Sequence, residues 1–412
     1  MDIKKILSWC LFDFANSSYS AVIAAVIFPV YYTNVIVGNE CGKGDLWWGR
    51  AIALSMAIVA ISSPFLGGIA DYARIRKRLL ALYTLLCIAA VASLYFLQKG
   101  MIIEGFILIV LANIGLEGGI VFYNSFLPDI TETTHHGRVS AWGYGIGYLG
   151  SILSLFLALF LIKNDFLNIT WPVVALFFGI FSLPVFLFLP ADLKKEIKIS
   201  QAAKSGLHYT WKTLRKIWSN KDQRRFLIAY LLYEDGVNTV IVFSSIFAAT
   251  TLQFKSEELI GMYIIVQATA LIGAFFMARP TDYWGPKKVI TISLSLWIAV
   301  SFAVFFVQEK GHFMIIASVA GLGLGTVQAA TRAFYTQFIP KGQESEYFGV
   351  YTLVGKSSAI VGPLVFGYTS SMLGNQRPAV LSVALFFLVG LIIIQTVRGG
   401  TPNVKTRSID KS

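Results

Sequence analysis

Asp13, Glu117, Glu234, Asp235, Arg332 and Lys356 are charged side chains set inside long apolar runs. Asn16, Asn113, Asn124, Asn238, Gln267 and Gln328 are amides placed the same way. A charge at the centre of a bilayer costs at least about 2.5–3.5 kcal/mol. Such groups therefore face a bundle interior or a watery cavity and mark the path of a solute or ion. Two kinds of chemistry suit these residue types. Carboxylates and cations pair with opposite charges on a bound solute through charge-assisted hydrogen bonds. A desolvated carboxylate also carries a proton, because burial favours its neutral form, and Glu117 and Asp13 are the candidates for that role. The alternative is structural pairing that holds a helix bundle together. Covalent and metal chemistry are poorly served: Cys10, Cys41 and Cys87 form no C-x-x-C pair, and His135 and His136 have no ligands at metal spacing. No phosphate-binding loop of the G-x-x-x-x-G-K-[ST] type occurs, so neither a nucleotide-driven pump nor any cofactor is expected.

The elements that carry these residues are twelve apolar spans, each about the length that crosses a bilayer as a helix. They lie at roughly 6–33, 48–70, 78–97, 102–127, 139–163 and 171–190, then 224–251, 258–280, 288–307, 312–338, 347–371 and 379–397. An all-α integral membrane protein follows, with a six-span half over 1–190, a linker over 191–223, a second six-span half over 224–398 and a tail over 399–412. With 56% hydrophobic and 14% charged residues, the chain has little left over for a soluble catalytic domain. The first span has no small-residue cleavage site behind it and reads as a retained helix.

The formal net charge of +12 suggests nucleic acid until its distribution is read. If both termini are cytoplasmic, 25 of the 34 Lys and Arg lie on that side and 7 on the other, with Arg332 and Lys356 inside spans. That asymmetry is the positive-inside rule, so the charge sets topology and no nucleic-acid partner is expected. The linker itself holds Leu207, Trp211, Leu214 and Trp218 at helical spacing, with Lys212, Arg215 and Lys216 on the other face. Such a helix belongs in the headgroup layer.

The halves repeat each other. Asp13, Asn16 and Ser17 in span 1 match Asp235, Asn238 and Thr239 in span 7. Asp71–Tyr72 and Asp282–Tyr283 each stand about five residues before a basic cluster, and "FLPDI" matches "FIPKG". Six spans per half keep both repeats in one orientation, the arrangement of transporters that bind solute between two rocking halves. The glycines Gly143, Gly145, Gly147 and Gly150, and likewise Gly321 and Gly325, follow no strand and sit in apolar helix. They permit close helix packing and do not form a nucleotide loop.

Gly67-x-x-x-Asp71 followed by Arg76, Lys77 and Arg78 resembles the helix 2–3 signature of the major facilitator superfamily. Asp282, Gly285, Lys287 and Lys288 resemble its second copy. "WCLFDFANSSYS", "VFYNSFLPDI", "RVSAWGYGIGYLGS", "YEDGVNT", "VQAATRAFYTQFIP" and "YFGVYTLVGKSSAIVGPLVFG" resemble one branch, the autophagy-linked vacuolar amino-acid effluxers and their bacterial relatives. Two features depart from the superfamily pattern: Tyr follows the signature Asp in both copies, and Arg74 stands where Gly is usual.

The resemblance implies the major facilitator fold, with spans 1, 4, 7 and 10 around a central cavity. It implies amino-acid export, with no enzyme activity. An amino acid would offer its carboxylate to Arg332 or Lys356 and its ammonium to Glu117, Glu234 or Asp235, with Asn16, Asn124, Asn238 and Gln328 as further contacts. Asp71 would face the N-terminal end of span 11 and Asp282 that of span 5, forming gate loops whose charge–dipole attraction is worth about 0.3–2 kcal/mol. The implied partners are the bilayer, a small-molecule substrate and a coupling proton. The implied form is a monomer in a bacterial inner membrane, with a vacuolar membrane as the alternative. A nucleoside, peptide or organic-cation carrier is the competing reading. A lipid-modifying enzyme would have to rely on Asp129, Glu132, His135 and His136.

Overall fold

A computed structural model describes residues 2–38, 43–192, 210–359 and 376–398, together with 362, 365, 366, 368, 369 and 372. In chain order the membrane helices are α1 (Ile3–Val37), α2 (Lys43–Ala73), α3 (Arg76–Ser93), α4 (Ile102–Ser125), α5 (His136–Lys163) and α6 (Leu167–Phe188). The second half has α7 (Lys221–Thr250), α8 (Ser256–Tyr283), α9 (Pro286–Phe306), α10 (Lys310–Thr336), α11 (described as Glu344–Ser357) and α12 (Gln376–Gln395). Eleven of these are long and apolar enough to cross a membrane among the described residues. With α11 they make the twelve-helix fold. Large apolar side chains such as Leu82, Leu187, Phe276 and Phe306 stand exposed on its outside, where lipid takes the place of water.

Most helices begin two to five residues before the apolar runs that announce them, because their first turns are polar. α7 starts on Asn220, whose side chain accepts from the amides of Asp222 and Gln223 at 3.0 and 3.1 Å, so the linker ends before 223. Helix also absorbs most of the expected gate loops. Gly67 and Asp71 lie within α2, Asp282 lies within α8, and Arg76, Lys77, Arg78, Lys287 and Lys288 occupy first turns. The true bends are short. Arg74 takes a left-handed φ of 55° in one, and Gly285 a φ of 84° in the other. The second is free for glycine, whereas Arg74 adopts a conformation that disfavours side chains.

Each half packs its own aromatic-rich core, α1–α6 around Trp9, Phe28 and Trp171, and α7–α12 around Tyr233, Trp297 and Phe387. α2 packs along α11, and α5 along α8 and α10, so these contacts form the boundary between halves. α1 is interrupted by two π-helical stretches, Tyr19–Val26 and Tyr32–Val37. Such wide turns recur at functional sites.

Residues 210–219 of the linker are helical, and Leu207 lies outside the described residues. Thr210, Thr213 and Ile217 form the buried stripe, while Trp211 and Trp218 face outward. The stripe that the sequence assigns to lipid is therefore split. Threonines pack on the protein, and the Thr210 hydroxyl donates to the Pro64 carbonyl at 3.3 Å. The tryptophans are left for the headgroup layer.

Candidate functional site

Arg332 sits in the last turns of α10 and is fully enclosed. Its Nε donates to Ser140 Oγ at 2.8 Å, and Nη2 donates to the Ser140 carbonyl at 2.7 Å. Nη1 reaches Asn124 Oδ1 at 3.2 Å and Asp13 Oδ2 at 3.4 Å. The rings of Trp9 and Tyr144 cover the guanidinium at 4.6 and 4.1 Å. α1, α4 and α5 of one half thus grip a cation from the other. A Cβ on Gly143 would come within 2.6 Å of Asp13 Oδ2 and 2.9 Å of Arg332 Nη2, so the bare glycine makes room for the pair. Asn16 joins the cluster through a 3.4 Å contact with Asp13 Oδ1.

Deeper in the bundle, Lys356 Nζ of α11 meets Glu117 Oε1 of α4 at 2.7 Å, again across the halves. Both side chains keep some exposure, 27% and 15%, and so face open space. At 1.5 Å of rise per residue, Lys356 lies about 18 Å and Glu117 about 12 Å from the helix ends on the basic face. That depth is close to the middle of a core about 30 Å thick. Glu234 of α7 lies within electrostatic reach of Lys356, among Tyr144, Tyr148, Tyr230, Tyr233 and Tyr351. The Tyr148 hydroxyl donates to Gln328 Oε1 at 2.6 Å, a third link between halves.

Other candidates are occupied locally. Asp235 accepts the Gly362 amide with both oxygens at 2.8 Å. Asn238 donates to Ser358 Oγ at 3.1 Å, and Asn113 accepts from Tyr19. Asp235 and Asn238 brace α11 where its helix ends.

At the basic face two carboxylates sit on helix N-termini of the opposite half. Asp71 accepts the amides of Ser345 and Glu346 at 3.2 and 2.9 Å, at the start of α11. Asp282 accepts the Arg138 amide at 2.9 Å and lies 3.2 Å from Arg138 Nε, at the start of α5. Arg76 stands between Asp129 at 2.9 Å, Glu344 at 3.5 Å and Asp71 at 3.8 Å. Its partners Lys77 and Arg78 turn to Asp192 through their amides, and Lys287 caps the end of α12 through the Gln395 and Val397 carbonyls. Lys288 lies over the Trp284 ring. Gly67 is pressed against the Ser345 backbone, so α2 and α11 touch without an intervening side chain.

Polar contacts thus join the two halves around charged groups at mid-depth. The family described as "Vacuole effluxer Atg22 like" matches residues 50–400. The chain belongs to the Atg22-like vacuole effluxer family. An MFS-type transporter of Bacillus subtilis, YxiO, is 27% identical over 96% of this chain and 95% of its own length. Autophagy-related protein 22-1 of Penicillium rubens is 22% identical over 90% of this chain and 79% of its own. The human organic anion transporter MFSD10 (TETRAN) has the same fold, with a TM-score of 0.74 at 15% identity over 95% of this chain and 98% of that one.

This member of the effluxer family is therefore a multi-pass membrane transporter of the major facilitator superfamily, not an enzyme. His136 is buried between Thr336 Oγ1 at 2.7 Å and the Thr131 carbonyl at 3.2 Å, and His135 contacts Thr134. Among the described residues no group of three His, Cys, Asp or Glu is placed to hold a metal. Ser140 is the functional neighbour that the sequence conceals. It stands one turn before Tyr144 in a segment whose glycines draw attention, and a serine hydroxyl carries no signal of burial. Trp9 is hidden in the same way, since an aromatic in an apolar run reads as core.

Proposed function

We propose that this transporter moves amino acids by alternating access, coupled to protons, with both termini in the cytoplasm and export as its direction. The observation that carries the reading is the Glu117–Lys356 pair. One anion and one cation face the cavity from opposite halves, 2.7 Å apart. A zwitterion entering between them would give its ammonium to Glu117 and its carboxylate to Lys356, replacing one ion pair by two. Glu234 and Gln328 border the same space, and Asn16 and Asn124 support it through Asp13 and Arg332. Arg332 is enclosed and has every nitrogen engaged by Ser140, Asn124 or Asp13, so we assign the carboxylate to Lys356 and give Arg332 the task of holding the halves together. The family description names vacuolar efflux, which agrees with export.

On this reading the latches at the basic face close the cytoplasmic side, and the conformer faces outward. The test is uptake of a labelled amino-acid pool into proteoliposomes with and without a proton gradient. Wild type should accumulate label with the gradient. Lys356→Ala and Glu117→Gln should each lower uptake at least tenfold, as expected for a charge-assisted contact worth about 1.5–3 kcal/mol. A folded wild type that ignores every amino acid would remove the substrate assignment, and organic cations and nucleosides would be next.

A further inference from the structure

We propose that Glu234 is the proton-carrying carboxylate of this transporter, and that it works by competing with Glu117 for the single cation Lys356. The inference rests on the proton-coupled reading above and assigns the coupling role to a residue other than Glu117 or Asp13.

The charges here are out of balance. Two carboxylates, Glu117 on α4 and Glu234 on α7, lie within electrostatic reach of one ammonium, Lys356 on α11. In the conformer described, Lys356 is bound to Glu117 at 2.7 Å. Glu234 is half-buried and makes no hydrogen bond or ion pair with another described residue. Its neighbour Asp235 does not share this condition, because both oxygens hold the Gly362 amide.

Among the described residues, no other cation is free to serve it. α5 faces Glu234 with Tyr144 and Tyr148, α7 itself with Tyr230 and Tyr233, and α11 with Tyr351 and Lys356. α8 adds Tyr263, which neighbours Tyr148. From α10 comes Arg332, each of whose nitrogens is engaged by Ser140, Asn124 or Asp13. α12 contributes Arg377, which is engaged with the Phe305 and Val307 carbonyls near the far face. A carboxylate at this depth without a cation beside it is stabilised by taking a proton or by capturing Lys356.

The topology turns that choice into a switch. Lys356 and Glu234 belong to the same half, whereas Glu117 belongs to the other. With Glu234 protonated, Lys356 is left to bridge the halves. With Glu234 ionised, Lys356 is drawn back into its own half and the bridge weakens. Proton binding at one oxygen of Glu234 thus favours the conformer described here, and proton loss favours its opposite.

The test is a spin-label distance between the two halves at the face away from the termini, with no substrate added. Lys99→Cys and Gln308→Cys supply the labels in full-length protein lacking Cys10, Cys41 and Cys87. For wild type, going from about pH 8 to about pH 5 should shift the ratio of the two distances roughly tenfold toward the conformer described, about 1.4 kcal/mol for one pKa unit. Glu234→Gln should hold that conformer at every pH. Glu117→Gln should favour the other conformer and lose the pH response, and it carries the test if Glu234→Gln does not fold. A wild-type profile without pH dependence, or a Glu234→Gln or Glu117→Gln profile that titrates as wild type does, would overturn the proposal. Since no amino acid is present, a wrong substrate leaves this result standing. Amino-acid uptake alongside a wild-type-like Glu234→Gln profile would remove Glu234 alone.

Discussion

The two cations inside the spans, Arg332 and Lys356, look alike in the sequence and differ in their surroundings. Lys356 retains open space beside it, whereas Arg332 is 2% exposed and has every nitrogen engaged. Removing one member of a buried pair leaves the other charge uncompensated, which costs about 3–5 kcal/mol. Arg332→Ala should therefore lower stability by an amount in that range, read as a large fall in the melting temperature of the purified protein. Asp13→Asn/Arg332→Ala should be less destabilised than the sum of the two single variants, because the uncompensated carboxylate is gone. Strict additivity would show that Asp13 and Arg332 are not coupled. The need for burial was legible from the sequence, since charges in apolar runs are costly wherever they sit. Which charge serves solute and which serves structure was not, because that depends on Ser140, Asn124 and Trp9, brought in from three other helices.

Helices turn the repeated Asp-Tyr motif into a matched pair of latches, and here the sequence was more informative. The repeat marks Asp71 and Asp282 as a matched pair, and the resemblance to the superfamily sets them against the starts of α11 and α5. What hydropathy concealed was that both carboxylates lie in the final turns of α2 and α8, since polar last turns fall outside an apolar window. Each latch joins a negative side chain to the positive end of a helix, an interaction of about 0.3–2 kcal/mol that can be broken in every cycle. The linker adds a brace, with buried Thr210 donating to the Pro64 carbonyl of α2 on the same side as the Asp71 latch. Asp71→Asn and Asp282→Asn should each loosen the basic face, and together they should loosen it further. The measurement is the modification rate of a cysteine placed at Ser125, buried just inside the latch. It should rise by about tenfold for every 1.4 kcal/mol of latch lost. A rate unchanged in the double variant would show that the latches do not hold this face shut.

For the molecule as a whole, every hydrogen bond and ion pair described between the halves lies at mid-depth or toward the basic face. The latches, the Arg332 cluster and His136–Thr336 are near that face, with Tyr148–Gln328 and Glu117–Lys356 deeper. Contacts so placed let one half tilt about the other once they part. The overall fold was readable from twelve apolar spans and their internal repeat because span length and orientation are set by the bilayer. The direction in which the bundle is closed is a tertiary property, set by which surfaces happen to touch. Rocking makes a strict demand that a local gate would not: the helix starts at the basic face must separate as rigid ends. Ser125 Oγ of α4 and Ser345 Oγ of α11 lie 3.1 Å apart across the boundary. In a background without the native cysteines, Ser125→Cys/Ser345→Cys should form a disulfide on oxidation. The bond should abolish solute flux, leave solute binding from the opposite face intact, and release both halves again under reductant. Flux that persists through a fully formed crosslink would mean that solute passes without separation of α4 from α11. In that case the two halves would not rock, and the twelve-helix bundle would work by moving single helices against a fixed frame.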